Sequence, residues 1–335
     1  MHDFKGKIAV ITGGGTGMGR DLCVQLAREG CHIAMCDVSG ESMQETKEIC
    51  EAESPHEITV STSICDVSDE SQVITFSEEV KKIHRTEHIN LLFNNAGIGG
   101  GGSFIVDDRV SWDKTFGVCW FGVYYCSRAF LPMLIASDEG HIVNTSSVNG
   151  FFATVGPSLA HTAYSTAKFA VKGFSEALIN DLRLHAPHVN ISLVMPGHIG
   201  TSLVSNSGKV LGMPDVDQMS DEDIRNLRQM MMDMGDNELA NLSDDQLKEA
   251  LQKPDKDFRD NAPMTSSEAA TIILDGVRAK KWRLLVGEDA HKLDKKVRQD
   301  PENAYERSFF QELLDDNVLN ALSAAVGAGI EQDKS

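Results

Sequence analysis

The sequence predicts an α/β fold in which a doubly wound, parallel β-sheet carries helices on both faces. Short apolar runs alternate with stretches of helical periodicity along most of the chain, and this alternation favours parallel strands joined by right-handed crossovers. Several of the apolar runs are almost continuously hydrophobic, as expected of strands that are covered on both faces. A glycine-rich segment also follows the first run directly and leads into a helical pattern.

Seven segments have the length and composition of strands. They are Lys7–Thr12, Cys31–Asp37, Ile58–Ile64, Ile89–Asn94, His141–Thr145, Asn190–Met195 and Arg283–Val286. The stretches between them are predicted to be helices. In Gly17–Glu29, for example, Leu22 and Leu26 lie four residues apart and therefore share one helix face.

One region, Ser205–Ala262, interrupts this alternation. It is acidic, rich in methionine and without a strand pattern. The motifs Ser220-x-x-Asp223 and Ser243-x-x-Gln246 resemble the capping boxes that begin helices, so we expect short helices there. We interpret this region as an insertion that forms a helical lid over the substrate.

The predicted catalytic unit is a single domain of residues 1–287 that includes the insertion. Residues 288–335 follow the last predicted strand, and we expect them to form a C-terminal extension that is helical or partly disordered. Gly97–Gly102 is dense in glycine and is predicted to be a loop at the C-terminal end of a strand.

Composition disfavours several classes of function. Asp and Glu number 50 against 31 Lys and Arg, which gives a formal net charge of −19 at pH 7. This charge disfavours nucleic acids and anionic membranes as partners, because both attract clustered positive charge. The apolar run Ile8–Ile11 is too short for a signal peptide, and no later segment is expected to span a membrane. Seven cysteines without a C-x-x-C pair fit reduced thiols, so we expect a cytoplasmic protein.

A glycine-rich turn follows the first predicted strand and precedes a helix. It reads Thr12-Gly13-Gly14-Gly15-Thr16-Gly17-Met18-Gly19. Glycines there permit a tight turn and a close approach to a diphosphate, and the helix N-terminus supplies free N–H groups. Such a turn can be merely structural, but its place between a strand and a helix predicts a dinucleotide site. The expected cofactor contacts in it are Gly13, Thr16, Gly17, Met18 and Gly19.

The second predicted strand ends at Asp37, about 20 residues after the turn, where a ribose-binding acidic residue is expected. A carboxylate there would accept hydrogen bonds from the adenosine ribose and would repel a 2′-phosphate, so it favours NAD over NADP. Neither Thr16 nor Val38 offers the positive charge that a 2′-phosphate needs. The alternative is that Asp37 only caps a turn.

Tyr164 and Lys168 lie four residues apart at the start of a predicted helix and therefore share one face. This spacing often occurs by chance, and its significance comes from two other segments. Ser146-Ser147 ends one predicted strand, and Asn94 ends another, followed by Asn95-Ala96-Gly97.

Together these segments resemble the short-chain dehydrogenase/reductase family, in its compact branch. The resemblance covers about Lys5–Gly287 and rests on motifs that occur in the family's order. They are Thr12-Gly13-x-x-x-Gly17-x-Gly19, Asp66-Val67, Asn95-Ala96-Gly97, Ser147, Tyr164-x-x-x-Lys168 and Pro196-Gly197-x-Ile199-x-Thr201. It implies a Rossmann-type sheet of seven parallel strands in the order 3-2-1-4-5-6-7, and hydride transfer between a nicotinamide and an alcohol or ketone.

The resemblance implies three catalytic residues. Tyr164 would be the general acid or base on the substrate oxygen, and Ser147 would donate a hydrogen bond to that oxygen. Lys168 would bind the nicotinamide ribose and lower the pKa of Tyr164, which is about 10 in a free tyrosine. Ser146 is the alternative to Ser147, but the residue immediately before Val148 fits the family pattern better.

The resemblance also implies cofactor contacts beyond the glycine turn, to which Tyr164 and Lys168 contribute. Asp66 and Val67 would contact the adenine, and Asn95, Ala96 and Gly97 would line the adenosine side. The remaining implied contacts are Pro196, Gly197, Ile199 and Thr201. Of these, Ile199 and Thr201 would bind the nicotinamide carboxamide.

Ser147 and Tyr164 are a few residues further apart than is usual in the family. An insertion at Val155–His161 would absorb the difference within a loop. His161 and His198 then lie near the predicted pocket, where each would contact substrate or simply be solvated. No second cluster of ligands supports a metal there, so we expect no bound metal.

One position departs from the family pattern. Trp112–Cys119 resembles a family segment that ends in Asn, which completes a catalytic tetrad and helps to hold a water beside the lysine. In the family that water binds the backbone carbonyl, which Cys119 retains, so the relay would survive. Because the amide side chain of the Asn is lost, we expect the proton relay to be weakened or rearranged. A redox-sensitive thiol is the alternative, and a buried helix cysteine is the plain interpretation.

The insertion and the loop after Ser147 indicate an apolar substrate pocket. Candidates for the lid are Leu203, Val204, Leu211, Met213, Met219, Met230, Met231, Met232 and Met234. Phe151, Phe152 and Val155 are candidates for another wall. We therefore predict a bulky, apolar secondary alcohol or its ketone as substrate. Alternatively, the methionines only pack the small helices of the insertion.

We expect a homodimer or homotetramer. Members of the family usually pair through helices that correspond to Trp112–Ser137 and Ala163–His185. The first of these carries a set of aromatic residues that are either core or interface: Phe116, Trp120, Phe121, Tyr124 and Tyr125. The C-terminal extension would wrap a neighbouring subunit or block a second interface.

The main hypothesis is thus an oxidoreductase that uses NAD, or alternatively NADP, to interconvert a secondary alcohol and a ketone. The alternative is a dinucleotide-binding sensor or regulatory protein with weak or no turnover, which Cys119 supports and the intact catalytic residues oppose. A nucleotide-sugar epimerase or dehydratase also uses a Tyr-x-x-x-Lys pair, but the three-residue gap between Gly13 and Gly17 argues against that branch.

Overall fold

The computed structural model describes residues 1–154, 156, 159–213, 216, 219–233, 241–316 and 318. The strands in these residues are β1 (Ile8–Thr12), β2 (His32–Asp37), β3 (Val60–Ile64), β4 (Leu91–Asn94), β5 (Gly140–Thr145), β6 (Val189–Pro196), β7 (Ile199–Gly200), β8 (Met264–Thr265) and β9 (Arg283–Val286). Seven of them form one parallel sheet in the order β3-β2-β1-β4-β5-β6-β9. The predicted fold class is confirmed, and the sheet order matches the implied order with β9 as the seventh strand.

The helices of the described residues connect these strands and extend beyond them. They are α1 (Gly17–Arg28), α2 (Gly40–Glu53), α3 (Glu70–His84), α4 (Arg109–Phe116), α5 (Gly122–Ile135), α6 (Thr162–His185), α7 (Leu203–Val210), α8 (Asp221–Asp233), α9 (Asp244–Asp260), α10 (Ser266–Arg278), α11 (Glu288–Gln299) and α12 (Arg307–Asp315). Strands β7 and β8 pair outside the main sheet.

Two layers of helices cover the main sheet, as β1 shows. Ala9 and Ile11 pack in one hydrophobic cluster with residues of α1, α2 and α10, whereas Ile8 and Val10 pack in a second cluster with residues of α3, α5 and α6. Successive strand side chains point to opposite faces, so the two clusters mark the two covered faces. All of β1 is buried, which explains its almost uniformly apolar sequence.

Helices α4 and α5 form one continuous helix with the π-helical turn Gly117–Phe121 that joins them. This helix, Arg109–Ile135, has 27 residues and is long and apolar enough to cross a membrane by length and composition alone. The prediction that no segment reaches spanning length is therefore wrong by this criterion. Half of its apolar window is buried, and Cys126 and Phe130 pack in the core beside the sheet.

The insertion contains α7, α8 and α9. Ser243 and Gln246 form a capping box at the start of α9. Before α8, the backbone N–H of Ser220 donates to the Asp223 carboxylate at 2.9 Å, and the N–H of Asp223 donates to the Ser220 hydroxyl at 3.2 Å. Both predicted helix starts are therefore confirmed.

The C-terminal extension contributes α11 and α12, which are helical as predicted. Leu293 of α11 and Phe309, Phe310 and Leu313 of α12 bury their side chains in a cluster of their own beside the main core. The cluster includes Phe152 from the loop that follows β5, so the extension packs next to a loop at the carboxyl edge of the sheet.

Candidate active site

A cavity of ≈ 380 Å³ lies at the carboxyl ends of β1, β2, β4, β5 and β6. In parallel α/β sheets, ligands bind at this edge. All but one of the residues predicted to bind the cofactor line the cavity: Gly13, Thr16, Gly17, Met18, Asp37, Asp66, Val67, Asn95, Ala96, Gly97, Tyr164, Lys168, Pro196, Gly197, Ile199 and Thr201. The remaining predicted contact, Gly19, lies behind the cavity wall.

Gly19 lies in the first turn of α1, against the end of β1. A Cβ placed on Gly19 would be 1.9 Å from the carbonyl oxygen of Gly13, well inside contact distance. The absence of a side chain therefore lets the helix pack against the strand end. Gly13 and Gly17 have φ values of 67° and 54°, in the left-handed region that favours glycine.

The N-terminus of α1 lines the cavity at Thr16, Gly17 and Met18. No side chain of the described residues caps it. Its first N–H groups and the positive end of its dipole are therefore available to an anionic group such as a diphosphate. Asn206 of α7 donates to the Thr16 hydroxyl at 3.0 Å, which ties the insertion to the glycine turn.

Asp37 places its carboxylate between the glycine turn and the cavity. It accepts the backbone N–H of Gly15 at 3.0 Å and that of Ser39 at 3.2 Å. Glu41, at the start of α2, lines the same part of the cavity, and the sequence reasoning did not single it out. Two carboxylates therefore face the end of the cavity where an adenosine ribose would lie.

Asp66 is held by a lysine from a distant part of the chain. Its carboxylate pairs with Lys114 of α4 and accepts the hydroxyl of Ser68 at 2.6 Å. Burial alone would raise the pKa of Asp66, but the hydrogen bonds from Lys114 and Ser68 bring it below its ordinary value. Lys114 was not found by sequence reasoning, because only the fold brings it across 48 positions of sequence to the Asp66 loop.

Thr12 organises the segment that follows β4. Its hydroxyl accepts the backbone N–H groups of Asn95 and Ala96, both at 3.0 Å. The Asn95 amide donates to the Thr12 carbonyl at 3.1 Å. Its side-chain oxygen is buried and has no hydrogen-bond partner within the described residues. A cavity-lining residue thus carries an acceptor that a bound ligand could satisfy.

Tyr164 and Lys168 project from the first turns of α6 toward Ser147, which follows β5. Ser147 lies close enough to the Tyr164 hydroxyl to favour its ionised form, and the Ser147 hydroxyl accepts the backbone N–H of Asn149 at 3.1 Å. The Lys168 ammonium lies 5.3 Å from the centre of the Tyr164 ring and donates to the carbonyl of Thr145 at 2.9 Å. The Ser146 hydroxyl instead donates to the Lys168 carbonyl at 2.7 Å, so Ser147 is the serine that meets the tyrosine.

Burial controls the titration of Tyr164. Desolvation raises its pKa, and the neighbouring Cys119 raises it further, whereas Lys168 and Ser147 lower it. The net result is a pKa above the ordinary value. The expected lowering by Lys168 is therefore present but outweighed by burial in the protein alone.

The two candidate histidines have different surroundings. The ring of His161 lies 4.7 Å from that of Tyr164, and burial lowers its pKa to about 4, so it is neutral at pH 7. The ring of His198 packs on that of Phe258, and its Nε2 lies 2.6 Å from the Phe258 carbonyl oxygen; Phe258 lines the cavity, whereas His198 does not. The described residues contain no cluster of three or more potential metal ligands.

Cys119 lies in the π-helical turn between α4 and α5. Like the other six cysteines, it is free and buried. Its thiol donates to the carbonyl of Ile98 at 3.2 Å. A Cβ on Gly97 would lie 3.5 Å from Lys168 Nζ and 3.7 Å from Cys119 Sγ. The cysteine therefore supports the floor of the site beside the lysine.

The substrate end of the cavity is apolar, but its residues differ from the predicted ones. Leu203 lines it as predicted. Val204, Met213 and Met232 are exposed, and the side chains of Met230, Met231 and Met234 lie outside the described residues. Phe152 is fully buried under α12, so it belongs to the core rather than to a pocket wall. Val155 also lies outside the described residues.

Further residues line the cavity that were not predicted as site residues, although Val38 and Ser146 were considered. They are Val38, Ser39, Glu41, Ser42, Cys65, Ile98, Val118, Thr145, Ser146, Ser202, Asn206, Lys209, Val210 and Phe258. Most of them directly flank a predicted motif, and that proximity in sequence was the available signal. Val118 and Phe258 reach the cavity only through the packing of the π-helical turn and of α9.

Comparison with known proteins places these features in one family. A family model described as short chain dehydrogenase matches residues 7–211. The protein SadH of Mycobacterium tuberculosis is 35% identical over 207 residues, which are 62% of this chain and 72% of SadH.

Two solved structures share the fold. A short-chain dehydrogenase/reductase from Burkholderia phymatum in complex with NAD superposes with a TM-score of 0.69 and 26% identity, over 90% of this chain and 95% of that one. A metagenomic short-chain oxidoreductase in complex with NADP gives a TM-score of 0.50 and 30% identity, over 58% of this chain and 83% of that one.

The close approach of Gly19 to Gly13 gives a stability prediction. Gly19→Ala should destabilise the protein by about 1–3 kcal/mol, because the new methyl group must displace the strand end. Gly173→Ala in α6 is the control, since its Cβ would meet no atom within 4 Å and should stabilise by up to about 1 kcal/mol. Denaturant unfolding measures both. Equal stability of Gly19→Ala and the wild type would contradict the packing role.

Proposed function

Because this chain belongs to the short-chain dehydrogenase/reductase family, we propose that it is an NAD-dependent oxidoreductase that interconverts a secondary alcohol and a ketone. One observation carries the proposal: Ser147, Tyr164 and Lys168 meet at the same cavity that the glycine turn lines. A dinucleotide at the turn and a substrate at the serine and tyrosine would therefore share one space.

The residues of the cavity fit a nicotinamide dinucleotide. The free N-terminus of α1 suits a diphosphate, and the unpaired oxygen of Asn95 supplies a buried acceptor. Asp37 and Glu41 offer carboxylates to the adenosine ribose and would repel a 2′-phosphate, which supports NAD. When bound, the nicotinamide accepts or supplies the hydride. The two solved relatives differ in the nucleotide that they contain: one is in complex with NAD and the other with NADP.

In this proposal Tyr164 Oη carries the proton that moves to or from the substrate oxygen. Reduction of a ketone needs the phenol, and oxidation of an alcohol needs the phenolate. Burial favours the phenol, while Lys168 favours the phenolate. The lysine is only 3% exposed and is anchored on the Thr145 carbonyl, so its charge stays beside the tyrosine. Ser147 donates a hydrogen bond that holds the substrate oxygen.

The substrate that we propose is apolar. Ile98, Val118, Leu203 and Val210 line the cavity near the catalytic residues, and apolar walls favour an apolar ligand body. His161 beside Tyr164 is neutral at pH 7, so it adds no positive charge that would attract an anionic substrate.

Removal of the Tyr164 hydroxyl tests the proposal. Tyr164→Phe should lower kcat by about 10²- to 10⁴-fold while NAD still binds, because the ring and the glycine turn remain. In the wild type, alcohol oxidation should rise with pH as the phenol ionises, and ketone reduction should fall. The absorbance of the reduced nicotinamide, followed with a panel of apolar alcohols and ketones, measures turnover. Calorimetry measures NAD affinity.

Tyr124→Phe is the matched control, since Tyr124 is partly exposed and does not line the cavity. It should turn over at the wild-type rate. Wild-type protein that binds NAD but converts no member of the panel, with Tyr164→Phe behaving identically, would favour the sensor over the enzyme.

Nucleotide choice gives a further prediction. Asp37→Asn removes the charge and keeps one acceptor oxygen, which can serve only one of the two N–H groups, since Gly15 and Ser39 bond to different oxygens of the carboxylate. The ratio of kcat/KM for NADP to that for NAD should rise by about tenfold, which corresponds to roughly 1.4 kcal/mol. Glu48→Gln, on the exposed side of α2 and away from the cavity, should leave the ratio unchanged. A wild type that prefers NADP would overturn this interpretation of Asp37.

We also propose a homo-oligomer that pairs through the helix Arg109–Ile135. Phe121 and Tyr124 remain more than a third exposed on it, next to a run of ring contacts that includes Phe116 and Tyr125. Phe121→Asp should weaken self-association by about tenfold or more, measured by light scattering over a dilution series. Ile74→Asp on α3, also about half exposed, is the control. A wild type that is monomeric at every concentration would contradict the proposal.

A further inference from the structure

The C-terminal extension lies outside the residues that the family model matches, which end at 211. It nevertheless contacts two of the loops that carry predicted site residues. One is the turn that follows β6 and contains Gly197. The other is the loop that follows β5 and begins with Ser147.

The first contact is made by Asp289, in the first turn of α11. Its carboxylate accepts the backbone N–H of His198 at 2.7 Å. A Cβ on Gly197 would lie 2.1 Å from the same carboxylate, so only glycine fits beneath it. The N–H of Gly197 in turn donates to the carbonyl of Val286 at 2.9 Å. The start of the extension thus holds the backbone of the cavity-lining turn by a hydrogen bond and by close packing.

The second contact is made by Tyr305, in the linker between α11 and α12. Its ring stacks on Phe152, with centroids 5.4 Å apart and an interplanar angle of 21°. Its hydroxyl accepts the backbone N–H of Ala153 at 3.2 Å. Phe309 and Phe310 of α12 pack on Phe152, each with centroids 5.9 Å away.

The first residues of the loop after Ser147 pack on α6, since a Cβ on Gly150 would lie 2.8 Å from the Lys168 carbonyl oxygen and Phe151 packs in a cluster with Val171. The regular structure of the loop is the single 3₁₀ turn Val148–Gly150, and the Asn149 amide bonds to carbonyls of the same loop, at Phe152 and Thr154. Those bonds fix the shape of the loop, and beyond Phe151 the extension supplies the contacts of Phe152 and Ala153. Phe152 follows Ser147 by five residues in the sequence, so the extension contacts the loop close to the proposed catalytic serine.

We infer that Asp289 and Tyr305 are positioning residues. They hold the Gly197 turn and the Ser147 loop, and so fix the two sides of the active site relative to each other. We call these two contacts the clasp. This inference rests on the proposed function. Neither residue lines the cavity, so each acts through the backbone that it holds. Misplacement of a catalytic group by about 1 Å can cost about 10²-fold in rate, which sets the scale of the effect.

Three variants test the clasp, with Glu288→Ala as the matched control. Glu288 is the neighbouring carboxylate in the first turn of α11, but its side chain is 81% exposed. Tyr305→Phe keeps the ring on Phe152 and removes only the acceptor for Ala153. Tyr305→Ala removes both, and Asp289→Ala removes the acceptor for His198. Circular dichroism and thermal unfolding establish that each variant is folded.

Amide hydrogen exchange in the protein without cofactor is the first measurement. Asp289→Ala should speed exchange at residues 197–198 by about tenfold or more, and Tyr305→Ala should do the same at residues 151–153. Tyr305→Phe should speed exchange at Ala153 alone. Wild-type protection of these segments in all three variants would overturn the inference, whether or not the protein turns over any substrate.

Turnover is the second measurement. Tyr305→Ala should lower kcat by about tenfold to a hundredfold with little change in NAD affinity, because the serine loop holds the substrate oxygen. Glu288→Ala should match the wild type in both measurements. Faster exchange with unchanged kcat and KM would overturn the positioning role. Absence of turnover in the wild type would count against the proposed function instead, and the exchange data would still decide whether the extension holds the loops.

Discussion

The contact between Gly19 and the carbonyl of Gly13 is the constraint on which the rest of the site depends. It presses the first helix against the end of the first strand, closer than any side chain would permit. The helix N-terminus is thereby aimed into the cavity. From the same strand end, Thr12 fixes the segment after β4 by accepting the N–H groups of Asn95 and Ala96. One tight turn thus orients both the proposed diphosphate site and the segment beneath the proposed catalytic residues.

Tyr164 and Lys168, the proposed catalytic pair, show two opposed electrostatic effects in a small volume. Burial opposes the ionisation of Tyr164, and the buried ammonium of Lys168 favours it. Neither effect would be large at the surface, where water would solvate the phenolate and screen the lysine. Anchoring Lys168 on the Thr145 carbonyl fixes the separation of charge and phenol. In the proposed mechanism the positive charge of an oxidised nicotinamide would add to the lysine's effect, so cofactor binding and proton transfer would be coupled through the tyrosine.

Much of the fold and of the site could be predicted because the signals are local. The strands appear as apolar runs, and each motif directly follows a strand, so the parallel sheet brings the motifs to one edge. The errors concern contacts between distant segments. The sequence around Asp66 does not indicate that Lys114 pairs with it, and the sequence around Phe152 does not indicate that α12 packs on it. The sequence offered no signal that His198 turns toward Phe258, or that Met213 lies in solvent. Helix Arg109–Ile135 was predicted as a helix over Trp112–Ser137, but its apolar length was not compared with that of a membrane span.

The π-helical turn at Gly117–Phe121 places one wider turn in the long helix where that helix passes the cavity. Val118 in this turn lines the cavity, and the thiol of Cys119 donates to the Ile98 carbonyl. Phe130, further along the same helix, packs in the same buried cluster as Cys119. One continuous helix therefore carries part of the cavity wall and part of the core, so the position of that wall depends on how the core is packed.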